Sequence, residues 1–252
     1  MEKSLSEQAL QSRFHDLEEN LKIVEEQISA AAERAGRRRA DITLLAATKT
    51  VPVEVVNHGI EAGIRCIGEN RVQELTEKYD RYRKDLADVQ FIGHLQTNKV
   101  KYLIGKVSMI QSVDSEKLAQ EISRLSVRAG VVTNVLLEVN IGREANKSGV
   151  FPEQLEALLG AVSQMPNVCV QGLMAIPPAQ AQPKETFAYF NKMYHYFVDI
   201  STKKIDNVNM QLLSMGMSED YPLAIEAGAN MVRIGSALFG ARDYTKTKST
   251  RF

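Results

Sequence analysis

Between residues 42 and 235 the chain alternates eight times between a short apolar run and a segment of helical character. The runs cover 42–48, 65–68, 89–94, 109–113, 134–140, 168–176, 210–215 and 231–235. In the first run Thr43 is the only polar residue before Thr48, which predicts a strand buried on both faces. Helices are expected over 52–62, 71–82, 98–105, 115–128, 152–164, 185–202 and 221–227. Ser115 reads as an N-cap, and Gly130 as a stop. Strict strand–helix order predicts parallel pairing through right-handed crossovers. Eight such units suit a closed α/β fold, the (β/α)8 TIM-type barrel. The alternative is an open doubly wound sheet, but no Gly-x-Gly-x-x-Gly follows the first run, which argues against a dinucleotide site.

Only a short helical stretch, 237–240, follows the eighth run. A long amphipathic helix over 7–37, with Leu10, Phe14, Leu17, Leu21, Val24 and Ile28 on one face, is expected to cover that gap. The arginines at 37–39 read as its solvated basic end. Residues 1–240 are thus expected to form one barrel. Residues 1–5 are expected to fray, and the polar tail 241–252 to be disordered.

Thirty-one basic and thirty-one acidic residues leave no net charge, so no strong field draws the chain to nucleic acid or anionic lipid. The same scattered charge suggests a monomer. Cys66 and Cys169 lack a CxxC partner or a histidine at ligand spacing and read as reduced core residues. No signal-peptide pattern and no apolar run of about 20 residues is present, which makes the cytoplasm the expected location.

In a barrel, the residues after each strand gather at one mouth, where ligands bind. Here these are Lys49, Glu69, Asn70, His94, Asp114, Asn140, Met174, Ser214 to Gly216, and Arg233 to Ser236. They include no metal-binding cluster and no Ser-His-Asp set. Lys49 is either a strand-end lysine with its ammonium in water, or a partly desolvated amine able to form an imine. The turns at Ser214-Met-Gly-Met-Ser218 and Gly235-Ser236 follow the two strands where barrels often hold phosphate. An amine and a phosphate anchor suit a phosphorylated carbonyl compound, either a sugar phosphate or pyridoxal 5′-phosphate.

Several blocks carry a family resemblance: Thr48-Lys49, Gly68-Glu-Asn-Arg-Val-Gln-Glu74, Phe91-Ile-Gly-His-Leu-Gln-Thr-Asn-Lys99, Asn146-Lys-Ser-Gly149, Gly172-Leu-Met174, Leu213-Ser-Met-Gly-Met-Ser218 and Val232-Arg-Ile-Gly-Ser236. Together they resemble the YggS/PROSC pyridoxal-phosphate-binding proteins, from about residue 10 to 242. The resemblance implies a barrel like the N-terminal domain of alanine racemase. It also implies pyridoxal 5′-phosphate bound as a Schiff base on Lys49. Ser214, Gly235 and Ser236 would hold the phosphate, and Arg233 would face the pyridine nitrogen. Asn70, His94, Met174, Gly216 and Met217 would line the cofactor. The implied role is vitamin B6 and amino-acid homeostasis, with pyridoxal-phosphate-dependent apo-enzymes as candidate recipients.

An arginine only donates hydrogen bonds, and its charge disfavours a protonated ring nitrogen, which weakens the ring as an electron sink. Alanine racemase supplements its lysine with a tyrosine from a separate domain of the partner subunit, for which too few residues follow this barrel. A carrier without robust turnover is therefore expected. The alternatives are a slow racemase or lysine-imine enzyme, and an adaptor that docks through its surface.

Overall fold

The structure, a computed structural model, describes residues 6–240. The expectations for 1–5 and 241–252 fall outside the described residues. Eight parallel strands close on themselves in sequence order: β1 (Thr43–Ala47), β2 (Cys66–Glu69), β3 (Asp88–Phe91), β4 (Met109–Val113), β5 (Thr133–Val139), β6 (Val168–Ala175), β7 (Val208–Ser214) and β8 (Met231–Ile234). Pairing of Leu45 with Arg233 and of Ala46 with Ile234 makes the seam. The helices between and after the strands are α2 (Val53–Glu61), α3 (Val72–Lys78), α4 (Glu116–Ala129), α5 (Leu155–Ser163), α6 (Pro183–Ser201), α7 (Tyr221–Glu226) and α8 (Ser236–Phe239).

The core divides as barrel geometry requires, because successive strand residues face opposite sides. The large core lies between the outer face of the sheet and the helices. Two small clusters fill the inside: Leu45, Ala47, Cys66, Ile92 and Met231 form one, and Met109, Leu136 and Met174 the other. Polar side chains are interleaved with them, Gln90 below Ile92 and Gln111, Glu138, Ser214 and Arg233 toward the mouth, all at inward positions and buried.

α1 (Glu7–Arg34) packs on α2, α7 and α8, and so covers the gap after β8. Its buried stripe is Leu17, Leu21, Val24 and Ile28, continued by Ala31 and Ala32. Asn20 donates to the Leu238 carbonyl (3.1 Å), and Phe14 stacks on His58 at 4.0 Å.

Four local expectations need correction. α1 stops at Arg34, with Gly36 left-handed at φ 67°, so the arginines at 37–39 lie beyond it. They are not all solvated: Arg37 donates to the Ala229 carbonyl (2.6 Å), Arg39 pairs with Glu25 (2.5 Å), and only Arg38 is widely exposed. Ser115 holds the N-cap position of α4 but its hydroxyl oxygen accepts no first-turn N–H; the hydroxyl is turned to Asp114, to which it donates (3.1 Å). The segment near 98–105 is a 3-10 helix, Thr97–Tyr102. Gly130 does end α4, at φ 65°. Both cysteines are free thiols; Cys66 is buried, which pushes its thiol pKa up and keeps it inert, while Cys169 is only partly buried.

Candidate functional site

The carboxyl ends of the strands form the mouth. β1 ends at Ala47, and Thr48 still takes a sheet-like bond to the Gly68 carbonyl (3.0 Å). Lys49 and Thr50 then form a turn closed by the Val51 N–H on the Thr48 carbonyl (3.0 Å). Lys49 is half-buried and follows the inward residues Leu45 and Ala47 by two-residue steps. Thr50 is left-handed at φ 63°, which is unusual for a β-branched residue. Its N–H donates to Glu74 (2.7 Å).

β8 runs beside β1, so Gly235 sits next to Ala47: a Cβ added at Gly235 would lie 3.4 Å from the Ala47 carbonyl oxygen. The lysine turn and the Gly235-Ser236 turn are therefore neighbours across the seam, not opposite walls of the mouth. Barrel closure causes this, by making the first and last strands adjacent. The Gly235 and Ala237 N–H groups converge on one oxygen, the Ser218 hydroxyl, each at 3.2 Å. Ser218 comes from the turn after β7, which Met217 N–H secures on Asp220 (2.6 Å). Gly216 bends that turn at φ 91°, where an added Cβ would meet Ala224 at 2.6 Å. Met217 and Ser236 are exposed at the rim.

Arg233 is 4% exposed and lies across the top of the filled interior. It donates to the Ser214 hydroxyl (2.7 Å) and to the Ala175 carbonyl (3.0 Å). Ser214 in turn donates to Gln111 (2.7 Å), and Gln111 donates to Gln90 (2.6 Å). Ser214 is expected from the family resemblance to hold phosphate. In the structure its buried hydroxyl accepts from Arg233 and donates to Gln111. Burial lowers the Arg233 pKa to about 10, against the pull of Glu138 and Asp220. It remains a cation at neutral pH.

Glu138 was not among the sequence-derived candidates. It lies on β5, two residues past the interior Leu136 and paired with Met174. Burial, helped by Asp114 and opposed by Arg233, pushes its pKa up to about 7. Its Oε2 is buried without a hydrogen-bond partner. A glutamate inside the otherwise apolar stretch from Val135 to Val139 was the available signal. Ser218, which accepts the Gly235 and Ala237 N–H groups, was also not singled out, although it closes one of the blocks carrying the resemblance.

The remaining candidates spread around the rim. Asn70 is half-buried with a buried, unpartnered Oδ1, and Gly93 packs so closely on it that an added Cβ would lie 2.0 Å from the Asn70 carbonyl oxygen. His94 is exposed; its Nδ1 meets Ser148 at 3.0 Å and Asp114 at 3.8 Å, tying the loop after β5 to the β3 end. Asn140 braces its own loop, donating to the Glu144 carbonyl (2.8 Å) and accepting from the Glu144 N–H (3.0 Å). Met174 is buried in the interior cluster under the mouth. Among the described residues no cluster of His, Cys, Asp and Glu could hold a metal ion, and no helix is long and apolar enough to cross a membrane.

Comparison with known proteins places this geometry in a lineage. The family model for the alanine racemase N-terminal domain matches residues 20–243. A protein of Aquifex aeolicus named pyridoxal phosphate homeostasis protein is 46% identical over 226 residues, covering 90% of this chain and 98% of that protein. The structure of PipY from Synechococcus elongatus with PLP bound superposes with TM-score 0.72 at 32% identity, over 83% of this chain and all of that one. Alanine racemase from Corynebacterium glutamicum, at 15% identity and TM-score 0.62 over 90% of this chain and 63% of its own, shares the fold. A closed eight-stranded barrel with its lysine turn beside its glycine-serine turn, matched over nearly its whole length, makes this chain a member of the alanine racemase N-terminal domain family, among relatives named pyridoxal phosphate homeostasis proteins.

Proposed function

We propose that the mouth binds pyridoxal 5′-phosphate as a Schiff base with Lys49, and that the protein holds and releases this cofactor in vitamin B6 and amino-acid homeostasis. The observation that carries the reading is the adjacency of the Lys49 turn and the Gly235 turn across the β1–β8 seam. In pyridoxal 5′-phosphate the aldehyde and the phosphate arm leave neighbouring ring carbons, so a complementary site needs its amine and its anion donors side by side. The ring nitrogen lies opposite the aldehyde, and an inward-lying donor such as Arg233 suits it. A linear sugar phosphate makes no such demand.

The residues present fit the group. Gly235 and Ala237 aim two backbone N–H groups at a single oxygen, the Ser218 hydroxyl, in whose place a phosphate oxygen would accept both, and Ser236 stands beside them at the exposed rim. Asn70, His94, Met174, Gly216 and Met217 would border the ring. Ser214 would act by holding Arg233. When bound, the cofactor supplies a reactive aldehyde and an electron sink. Arg233 limits the sink, since a buried cation opposes protonation of a ring nitrogen beside it. Reversible exchange on Lys49 fits such a site better than carbanion chemistry does.

The test is spectroscopic. Purified protein should show an absorbance band that borohydride bleaches, leaving a reduced adduct on Lys49, and Lys49→Ala should lose both. Wild-type protein that takes up no pyridoxal 5′-phosphate would refute the proposal. One observation favours a second reading, a slow racemase or lysine-imine enzyme: burial on the inward side of β5 raises the Glu138 pKa to about 7, in the range a general acid or base needs at neutral pH. That reading requires the α-deuterium of an added amino acid to wash out at a catalytic rate, and requires Glu138→Gln to abolish the washout.

A further inference from the structure

A buried ionic cluster lies behind the Lys49 turn, between the outer face of the barrel and α3. Glu69, at the end of β2, faces away from the interior, because Gly68 before it packs against the interior Leu45 and Ile92. Glu69 is 0% exposed. Its Oε1 accepts the hydroxyls of Thr48 (2.7 Å) and Tyr82 (2.6 Å) and lies 3.5 Å from the Lys78 ammonium. Glu74 accepts the Thr50 N–H (2.7 Å) and sits 3.1 Å from the same ammonium. Each chain neighbour of Lys49 is therefore held by one carboxylate, and Lys78 joins the two carboxylates.

Thr50 keeps a left-handed backbone that a β-branched residue resists, and such conformations persist only where the surroundings over-determine them. The Glu74 contact supplies that constraint. Buried ion pairs are weak stabilisers compared with apolar packing of the same volume. Stability alone is thus a poor account of three charges packed behind a turn.

We propose that Lys78 is a positioning residue for Lys49. By bridging Glu69 and Glu74 it clamps Thr48 and Thr50 and fixes the backbone from which the Lys49 amine reaches the mouth. This rests on the reading of Lys49 as the amine that meets the aldehyde. The anion turn and Arg233 stand on other strands and do not depend on the clamp.

The test compares two ligands on the full chain. Pyridoxal 5′-phosphate can bond to Lys49; pyridoxine 5′-phosphate, an alcohol, occupies the same site without that bond. Lys78→Met should reduce retention of pyridoxal 5′-phosphate by about 10–100-fold, up to the size of effect that a misplacement of a reacting group by about 1 Å has on reactivity, with pyridoxine 5′-phosphate affinity held within about threefold. Lys78→Arg, which can still bridge two carboxylates, should recover most of the loss. Equal losses for both ligands would show a merely structural role and overturn the proposal. If Lys78→Met does not fold, Glu74→Ala removes the Thr50 acceptor and must give the same split. A wild-type protein without a borohydride-fixed adduct on Lys49 overturns the reading of Lys49 and the clamp with it. An adduct that Lys78→Met forms as fully as wild type overturns the clamp alone.

Discussion

Replacing Glu138 by Gln should stabilise the cofactor-free protein at alkaline pH and leave it unchanged in acid. The carboxyl pKa is ordinarily 4.5 and is pushed up to about 7 here, chiefly by burial. The native state therefore binds a proton more tightly than the unfolded chain does. Stability is intact below pH 4.5, falls as pH rises between 4.5 and about 7, and stays at the lower level above that. At about 1.36 kcal/mol per pH unit, the loss is about 3 kcal/mol. The attraction of Arg233 is already contained in that figure, since it opposes the rise. Glutamine keeps the shape of the protonated acid and cannot ionise, so the variant avoids the loss. Urea unfolding of both proteins at pH 4 and pH 8 reads the difference. Roughly 3 kcal/mol should separate them at pH 8, or about 6–12 °C in Tm for a chain of this size, and almost nothing at pH 4. Wild-type and variant curves that stay parallel across this range would refute the assignment of Glu138 as a buried acid whose pKa is raised by desolvation.

Three further outcomes are expected. Arg233→Leu leaves Glu138 without its buried counter-charge and the Ser214 and Ala175 oxygens without their donor, so unfolding should become easier by about 3–5 kcal/mol, read by urea denaturation. Gly93→Ala drives a methyl into the Asn70 backbone and should cost about 1–3 kcal/mol in stability, together with weaker pyridoxal 5′-phosphate binding by titration. Ser236→Asp places a carboxylate at the exposed edge of the Gly235 turn; cofactor retention after gel filtration should fall sharply, and retention equal to wild type would place the anion elsewhere.

Much of the barrel was legible because its determinants are local. Runs such as 109–113 and 134–140 are too short and apolar for helices, and the segments between them carry 3.6-residue periodicity. The errors also have local causes. Ser115 takes the cap position, but its hydroxyl is turned toward the adjacent Asp114, to which it donates, and its oxygen meets no first-turn N–H. Arg37 and Arg39 look solvated after a helix, yet the turn at Gly36 directs them to carbonyls and carboxylates that are remote in sequence.

The sequence by itself determined the order of strands and helices, the lysine after the first strand, and the glycine-serine turn after the last, since backbone propensity and periodicity need no distant partner. Only the tertiary structure decided that these two turns are neighbours, because ring closure brings β1 against β8. It likewise decided that Ser214 serves Arg233, that Glu138 is an acid near neutrality, and that Lys78 stands behind Lys49. Those properties depend on desolvation and on charges contributed by other strands, and burial is set by the whole chain.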